Sequence, residues 1–433
     1  MATGIDILCH KLEAMLDNRR QEGRLIEPPS AATLKGMTDF SSNDSLSLSS
    51  SGALSAAFLR ELERHPDFTV GSTSSRILDG TKQYLEDIER DLARFHGAES
   101  AMFFGSGYEA NVAIWATIPQ RGDFIVYDEY IHASIHDGMR RGRATTVSFR
   151  HNDCVSLRDC LRDIQKTNAA ISEGKCVVFI SMESFYSVDG DMAPVIEIAK
   201  VAHDALPHGN FILAIDEAHS NGVVGPNGSG VICHYGLEDE FAIRLQTCGK
   251  GLGSTGAVVL ANETIKFALL NYARSVIFST APSFLTVSAV KAGYSLLASL
   301  EGERKQRRCQ LQENLRYFYQ TLTMSPWWDY GKKEGIFSLP TERTWRSEPF
   351  LAPIVALVVR PGMARKLAQF LHQAKYWVNP VNFPLVAKDK NRIRIVIHAD
   401  NTKSQMESVV CLVMEWARGQ MNPVDQRTNP ERL

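Results

Sequence analysis

The sequence predicts an α/β protein with a large, mostly parallel sheet and a second, smaller α+β domain. Short β-rich runs alternate with helical stretches between about residues 100 and 250. Two of these runs, 176–182 and 211–215, are almost continuously apolar, as strands are when helices cover both faces of a sheet. After about residue 293 the alternation stops, and a charged helical stretch leads into a Trp-, Gly- and Pro-rich segment.

The length and composition exclude several classes of protein. The chain has 433 residues, enough for two or three domains, and 44% of them are hydrophobic. Its formal net charge of −2 argues against a nucleic-acid-binding protein, which needs a basic face. No apolar run reaches the ~18 residues of a membrane span, and the longest, 350–359, is predicted to be a buried strand. We therefore expect an enzyme-sized protein with no nucleic-acid or membrane partner.

Residues 1–58 are predicted to form a leading helix and an ordered loop. Apolar residues recur at helical spacing among charged ones over 5–25, which favours an amphipathic helix. Eight of the fifteen residues in 41–55 are serine, a composition typical of flexible linkers. Three leucines interrupt this run, so we favour an ordered loop at the edge of a site.

Residues 59–293 are predicted to form the large domain and 294–433 the small one. The predicted strand–helix pairs are 101–104 with 110–118, 124–127 with 132–141, 145–149 with 156–165, and 176–182 with 194–205. In the small domain we predict a helix over 302–321 and a loop over 326–349. Ligands bind beyond the carboxyl ends of parallel strands, and most polar motifs of the chain directly follow a predicted strand.

A lysine lies among glycines in TCGKGLGS, residues 247–254. Glycines leave room for a flat cofactor, and a desolvated lysine can form a Schiff base. An exposed loop lysine explains this segment equally well, and the spacing of a phosphate-binding GxxxxGK[ST] loop is absent. The segment alone leaves both interpretations of Lys250 open.

Asp216 closes the predicted strand 211–215, and a buried acid needs a partner. A protonated pyridine nitrogen is such a partner, and an aspartate placed there tunes pyridoxal phosphate. His219, three residues later, can reach the same ring. A structural salt bridge is the alternative. A metal site is not predicted, because no second histidine or carboxylate has zinc-like spacing here.

Three further motifs follow predicted strands. Ser106, Gly107 and Tyr108 begin a helix, where free backbone N–H groups bind phosphate, although glycine also occurs there simply to make a tight turn. His132 opens another helix and can stack on a flat ring, but a single histidine there more often caps or packs.

Glu183 and Ser187 follow another predicted strand and would bring a carboxylate and a hydroxyl to the same edge of the sheet. The structural alternative is that this segment is simply a polar turn. In the small domain, Arg394 lies on the alternating strand RIRIVI and can grip a carboxylate with two hydrogen bonds. A solvated face of that strand is the simpler explanation when the motif is taken alone.

In their order along the chain, these motifs resemble those of the α-oxoamine synthases, which are fold-type-I pyridoxal-phosphate enzymes. The resemblance runs from about Leu16 to Val410, and within the family the chain resembles the 8-amino-7-oxononanoate synthases. It is carried by FSSNDSLSL (40–48), GSTSSRILDG (71–80), SGYEAN (106–111), HAS (132–134), ESFYSVDGDMAP (183–194), DEAHSNGVVGPNGSG (216–230), TCGKGLGSTGA (247–257), FST (278–280) and NFPLV…RIRI (382–395).

The resemblance implies the fold-type-I architecture with a seven-stranded sheet, and pyridoxal 5′-phosphate as cofactor. Lys250 would carry the cofactor covalently and move protons, and Asp216 would pair with the ring nitrogen. His132 would stack on the ring and His219 would bond its phenolic oxygen. The other implied cofactor contacts are Glu183 and Ser187 near the ring, Ser106, Gly107, Tyr108 and Thr247 at the phosphate, and Ser279 and Thr280 reaching the phosphate of a neighbouring subunit.

The implied reaction is a decarboxylative Claisen-type condensation of alanine, glycine or serine with an acyl thioester, on coenzyme A or on a carrier protein. It yields an α-amino ketone, carbon dioxide and a free thiol. Asn43 would line the substrate entrance and Arg394 would bind the amino-acid carboxylate, within a homodimer whose sites are shared. Within the family, the alternative to biotin-route synthesis is off-loading of a carrier-bound polyketide or fatty acyl chain in secondary metabolism. Outside it, the alternative is a fold-type-I aminotransferase.

Several positions depart from the family pattern. Ser45 and Ser47 replace a tyrosine and a glycine, Leu85 and Asn401 stand where histidines are common, and Ile26 stands about where members using dicarboxylic acyl groups often have arginine. These changes are expected to reshape the acyl pocket, and the missing arginine near Ile26 favours a longer, more apolar acyl group.

The expected location is the cytoplasm. The eight cysteines include no C-x-x-C pair, and the first residues do not resemble a targeting leader. The C-terminal Glu431-Arg432-Leu433 loosely matches a peroxisomal targeting tail, so the peroxisome is the alternative.

Overall fold

The computed structural model describes residues 3–298, 303–383, 386–387 and 389–420. The C-terminal tripeptide and two residues of the NFPLV motif lie outside the described residues. The helices are α1 (Gly4–Gln21), α2 (Ala31–Leu34), α3 (Ala53–Glu63), α4 (Gln83–Phe95), α5 (Gly107–Thr117), α6 (Ala133–Arg141), α7 (Cys154–Thr167), α8 (Ala169–Ser172), α9 (Val195–Ala205), α10 (Val231–Tyr235), α11 (Glu263–Tyr272), α12 (Arg274–Ile277), α13 (Phe284–Ala298), α14 (Glu303–Thr323), α15 (Pro326–Lys333), α16 (Ala364–Gln373) and α17 (Lys403–Gly419). The strands are β1 (Thr38–Asp39), β2 (Ser100–Phe104), β3 (Phe124–Asp128), β4 (Thr145–Phe149), β5 (Val178–Glu183), β6 (Phe211–Asp216), β7 (Ile243–Thr247), β8 (Ala257–Ala261), β9 (Phe337–Ser338), β10 (Ile354–Val359), β11 (Tyr376–Trp377), β12 (Asn379–Val381) and β13 (Arg392–Val396).

Seven strands form the large sheet, in the order β2-β8-β7-β6-β5-β3-β4. Strand β8 runs antiparallel to both of its neighbours, and every other pairing is parallel. Strands β2, β5 and β8 are buried along their whole length, as their apolar sequences require. The prediction of a mostly parallel, seven-stranded sheet in an α/β fold is confirmed.

The register of the sheet collects the polar strand ends at one edge. Glu183, the last residue of β5, lies opposite Asp216, the last residue of β6. Asp216 in turn lies opposite Leu245, two residues before the end of β7. The helices that follow the strands start with side-chain caps, since Ser106 and Asp153 each accept a hydrogen bond from the backbone N–H three residues later.

The small domain contains a second, antiparallel sheet in the order β12-β13-β10-β9. The N-terminal segment adds to this part of the molecule, because β1 pairs with β11 and Phe40 accepts a hydrogen bond from the amide of Val396. The serine-rich loop is ordered as predicted, with Leu46 and Leu48 buried in the core.

One sequence prediction needs correction. The segment 326–349 is not a continuous loop, because it contains α15 and β9. Its composition conceals a helix that starts with proline at its first position, where the missing N–H costs nothing, and buries Trp328 against Phe337. The leading helix forms as α1, but its apolar residues stay exposed, Ile5 by 63% and Leu12 by 47%. Within the described residues, no helix is long and apolar enough to span a bilayer.

Candidate active site

Lys250 lies at the floor of a cavity of about 600 Å³ at the polar edge of the large sheet. Its Nζ is 2.9 Å from Nε2 of His219. Burial lowers the pKa of the Lys250 amine, against the opposing influence of Asp216 and Glu183. Burial and the neighbouring Lys250 also hold the pKa of His219 well below its usual range. The lowered pKa shifts the lysine towards its neutral form, which is the form that attacks carbonyl carbon.

Asp216 is 7% exposed and is held by two donors. Its Oδ1 accepts from the amide of Ala218 at 2.9 Å, and its Oδ2 accepts from Nδ2 of Asn111 at 2.8 Å. A buried carboxylate oriented in this way suits a protonated ring nitrogen, which is the partner that the sequence predicts.

His132 belongs to the same hydrogen-bond network. Its Nδ1 is 2.7 Å from Oγ of Ser134, and that hydroxyl accepts from Nδ2 of Asn111 at 3.0 Å. Partial burial lowers the pKa of His132, so the neutral ring that stacking requires is favoured. Asn111 thus orients both the predicted stacking ring and the predicted ring-nitrogen partner.

Sequence reasoning assigned no role to Asn111 or Ser134, although both lie in matched motifs. The available clue was an amide at a buried position of the apolar helix α5, because buried polar groups are nearly always hydrogen-bonded.

Glu183 lies beside Asp216 with one oxygen unsatisfied. Its Oε2 accepts from the amide of Ser187 at 3.2 Å, while Oε1 has no hydrogen-bond partner among the described residues. Burial, reinforced by Asp216, raises the pKa of Glu183 to about 8. Near neutral pH this carboxyl is therefore largely protonated and can donate a hydrogen bond to a bound group.

The start of α5 forms a tight cradle next to β7. A Cβ on Gly107 would lie 2.5 Å from Oγ1 of Thr247, so only glycine fits there. Ser106 caps the helix, and Tyr108 lies edge-on to His132 with their ring centroids 6.5 Å apart. Free N–H groups beside two hydroxyls suit a phosphate. Together with the unsatisfied oxygen of Glu183, this cradle shows that the residues present fit pyridoxal 5′-phosphate.

Ser279 and Thr280 lie apart from the cavity at Lys250. They are exposed and line a separate cavity of about 90 Å³ together with Gly105 and Glu109. Their contact with the phosphate of a neighbouring subunit needs a second chain and stays a prediction.

Arg394 lines the same cavity of about 600 Å³ as Lys250, which is called the main cavity below. Its Nη2 donates to Oδ1 of Asn43 at 2.9 Å, and its Nε donates to the carbonyl of Ser187 at 2.9 Å. Burial lowers the pKa of Arg394 to about 10. These two acceptors fix the guanidinium plane, and its remaining N–H groups can bind a carboxylate. The structure thus brings together Arg394, Asn43 and Ser187, which the sequence predicted at this site.

Ile26 is 76% exposed and does not line the main cavity among the described residues. An arginine nevertheless lies close by. Arg24 pairs with Glu22, and its guanidinium carbon lies 5.7 Å from the ring centroid of Phe383, in the segment that borders the cavity. The absence of arginine at position 26 is therefore weaker evidence about the acyl group than the sequence comparison implies.

Beside the cavity, His151 is held between two carboxylates. Its Nδ1 is 2.9 Å from Asp128 and its Nε2 is 2.7 Å from Asp191. Burial opposes the charge, but these hydrogen bonds prevail and raise the pKa of His151 to about 9.

We expect His151→Gln to lower the free energy of unfolding by roughly 2–3 kcal/mol near pH 6. A group whose pKa is raised in the folded state stabilises fully below its unfolded pKa of about 6.5, and that stabilisation is lost as the pH rises towards 9. Urea titrations of both proteins between pH 6 and 9.5 measure the difference. A difference that stays constant over this range contradicts the prediction.

The chain was compared with known families, curated proteins and solved structures. The model of the aminotransferase class I and II family matches residues 35–411. The chain is 41% identical over 408 residues to an aminoacyl transferase sphA of Aspergillus fumigatus, covering 94% of this chain and 86% of that protein. It is 38% identical over 403 residues to an 8-amino-7-oxononanoate synthase of Emericella nidulans, covering 92% and 93%. A serine palmitoyltransferase from S. paucimobilis, solved with pyridoxal phosphate and myriocin bound, superimposes with a TM-score of 0.76 at 26% identity, over 94% of this chain and 97% of that one.

Proposed function

The chain belongs to the class I and II aminotransferase family, as one of its α-oxoamine synthases, and we propose that its amino-acid substrate binds with the carboxylate on Arg394. The protein is a pyridoxal-phosphate-dependent acyltransferase that condenses an amino acid with an acyl thioester. When bound, pyridoxal phosphate supplies an electron sink for the α-carbon of the amino acid. The observation that carries the proposal is that Arg394 and Lys250 line one cavity.

The residues of the large domain prepare the chemistry at this cavity. Lys250 would hold the cofactor and, because burial lowers the pKa of its amine, would accept the α-proton at Nζ. Asp216 would pair with the ring nitrogen, and Asn111 fixes the direction of its carboxylate. His132 would stack on the ring.

The residues of the small domain bind and orient the substrate. Arg394 is held by Asn43 and by the Ser187 carbonyl, so its free N–H groups point at the cavity without further rearrangement. A pre-oriented arginine loses less entropy when it binds a carboxylate. The small amino acids alanine, glycine and serine are the proposed substrates.

We propose that the acyl group is long and apolar and that it is off-loaded from a carrier protein in secondary metabolism. The apolar part of the cavity lining supports an aliphatic chain and includes Tyr130, Ile131, Val188, Val381 and Val386. The similarity to aminoacyl transferases sphA, at 41% identity, supports the same proposal. Biotin-route synthesis is the second candidate, favoured by the 38% identical relative and by the proximity of Arg24.

We also propose a homodimer whose sites are shared between its subunits. Ser279 and Thr280 are exposed, and large apolar side chains nearby are exposed as well, Phe278 by 71% and Tyr272 by 73%. A second copy of the chain would bury such residues and bring Ser279 and Thr280 to its cofactor phosphate.

The central test is Arg394→Gln. We expect the amino acid to bind roughly 10- to 100-fold more weakly, because charge-assisted hydrogen bonds to its carboxylate are lost. The absorbance of the bound cofactor reports binding during titration with glycine, alanine or serine. Ethylamine, which is alanine without its carboxylate, should bind both proteins equally.

The matched control for this test is Arg158→Gln, on a partly exposed arginine of α7. Unchanged alanine affinity in Arg394→Gln would place the carboxylate elsewhere. The acyl donor is then identified by measuring turnover with acyl thioesters of increasing length, carried either on coenzyme A or on a carrier protein. A clear preference for a dicarboxylic thioester would overturn the apolar assignment.

A further inference from the structure

A closed turn at residues 187–191 connects the two domains beside the cavity. It follows β5, and its ends are joined because the amide of Tyr186 donates to the carbonyl of Asp191 at 3.0 Å. The amide of Gly190 closes the turn by donating to the carbonyl of Tyr186 at 2.9 Å. These two hydrogen bonds hold the ends of the turn together.

The small domain contacts this turn at three points. Arg392 forms an ion pair with Asp189, and Arg394 donates to the carbonyl of Ser187. Because the two arginines alternate along β13, they face the same side of the strand. A Cβ on Gly190 would overlap the carbonyl oxygen of Ile354, so the turn also lies directly against β10.

The large domain holds the opposite side of the turn. His151 contacts Asp191 through Nε2 and Asp128 through Nδ1. Asn152 donates to the same oxygen of Asp191 at 2.7 Å. The ring of Tyr130 stacks on His151 with the centroids 4.3 Å apart. The turn is thus anchored to the end of β3 on one side and to β13 on the other.

The Asp189–Arg392 pair is buried, with Asp189 7% and Arg392 2% exposed. A buried ion pair rarely adds net stability compared with apolar packing. The better explanation for the Asp189–Arg392 pair is that it fixes the position of the groups around it.

Ligand atoms of His151, Asp189 and Asp191 lie close enough to hold a metal ion. However, Arg392 already pairs with Asp189 and His151 with Asp191, so the carboxylates have cationic partners without a metal.

We propose that Asp189 and Arg392 are positioning residues that set Arg394 for the amino-acid carboxylate. The ion pair holds the turn against β13, and the turn presents the Ser187 carbonyl that fixes Nε of Arg394. This inference rests on the proposed binding of the carboxylate at Arg394. His151 supports the turn from the large domain.

The test measures Asp189→Asn in the cofactor-loaded enzyme. We expect its affinity for alanine to fall roughly tenfold, because a small displacement of Arg394 misaligns two hydrogen bonds. Ethylamine affinity, KM for the acyl thioester and absorbance of the resting enzyme should stay within about twofold of wild type. Arg392→Lys keeps the charge but loses the planar guanidinium, and should weaken alanine binding roughly threefold.

A double-mutant cycle separates positioning from a general structural role. If Asp189 acts through Arg394, adding Asp189→Asn to Arg394→Gln should cause no further loss of alanine affinity. Equal losses for alanine and ethylamine, or additive losses in the cycle, overturn the proposal. Arg158→Gln is again the surface control, with unchanged binding expected. A wild-type enzyme that responds to no amino acid would instead refute the proposed function, and this inference with it.

Discussion

Lys250→Ala is expected to lower turnover by at least about 10⁴-fold while the fold stays intact. In the proposed mechanism Lys250 both carries the cofactor and moves the substrate proton. Among the described residues, Lys390 is the one other lysine that lines this cavity. Removing the side chain leaves a small space at the cavity floor and breaks one hydrogen bond, to His219. The loss should therefore appear in chemistry and not in stability.

Absorbance near the visible edge, circular dichroism and steady-state turnover measure this effect. The band of the lysine-bound cofactor should vanish in Lys250→Ala and persist in the matched variant Lys390→Ala. Small primary amines added to Lys250→Ala should restore part of the turnover by replacing the missing base. Persistence of the band in Lys250→Ala would show that another group carries the cofactor.

Asp216→Asn is expected to lower kcat by roughly 10²- to 10³-fold, the second largest effect. Asparagine has the same shape and keeps one acceptor oxygen, so one of the two hydrogen bonds, from Ala218 or from Asn111, is retained. It cannot supply the negative charge that keeps the ring nitrogen protonated, and the electron sink weakens. The measurement is kcat at saturating substrates, with cofactor affinity determined separately.

The neighbouring Glu217 offers the matched control. It is buried and points into the core, where it accepts from the amide of Ile232 and binds Gln246. Glu217→Gln should lower thermal stability and leave kcat within about twofold of wild type. A large kcat loss in Glu217→Gln, or none in Asp216→Asn, would contradict the assignment of the ring-nitrogen partner.

The polar edge of the large sheet was predictable from the sequence because its candidate site residues lie at the end of a strand or a few residues after one. Asp216 ends a buried apolar strand, and Lys250 lies three residues beyond another. Each motif taken alone could be explained by a structural role as well as by cofactor binding. The order of the motifs along the chain, which matches that of the α-oxoamine synthases, favoured cofactor binding. The order of motifs also predicted a role for Arg394, although its strand lies more than 140 residues after Lys250 in the sequence.

The remaining features depend on contacts between distant segments, which local pattern does not reveal. His151 joins Asp128, 23 residues before it, to Asp191, 40 residues after it. Asn111 reaches Asp216 across 105 residues. The helix α15 was missed for a different reason, since glycine and proline are typical of loops although proline is also favoured at the first position of a helix.

The proposed site draws residues from two sheets, and this has a consequence for how the product leaves. Lys250 follows β7 of the seven-stranded sheet, whereas Arg394 lies on β13 of the four-stranded sheet. An amino acid bound as proposed would therefore be held from both sheets at once. Loss of its carboxylate as carbon dioxide would remove the contact with Arg394, and with it the hold from the four-stranded sheet. Under this proposal, decarboxylation would also weaken the binding of the product.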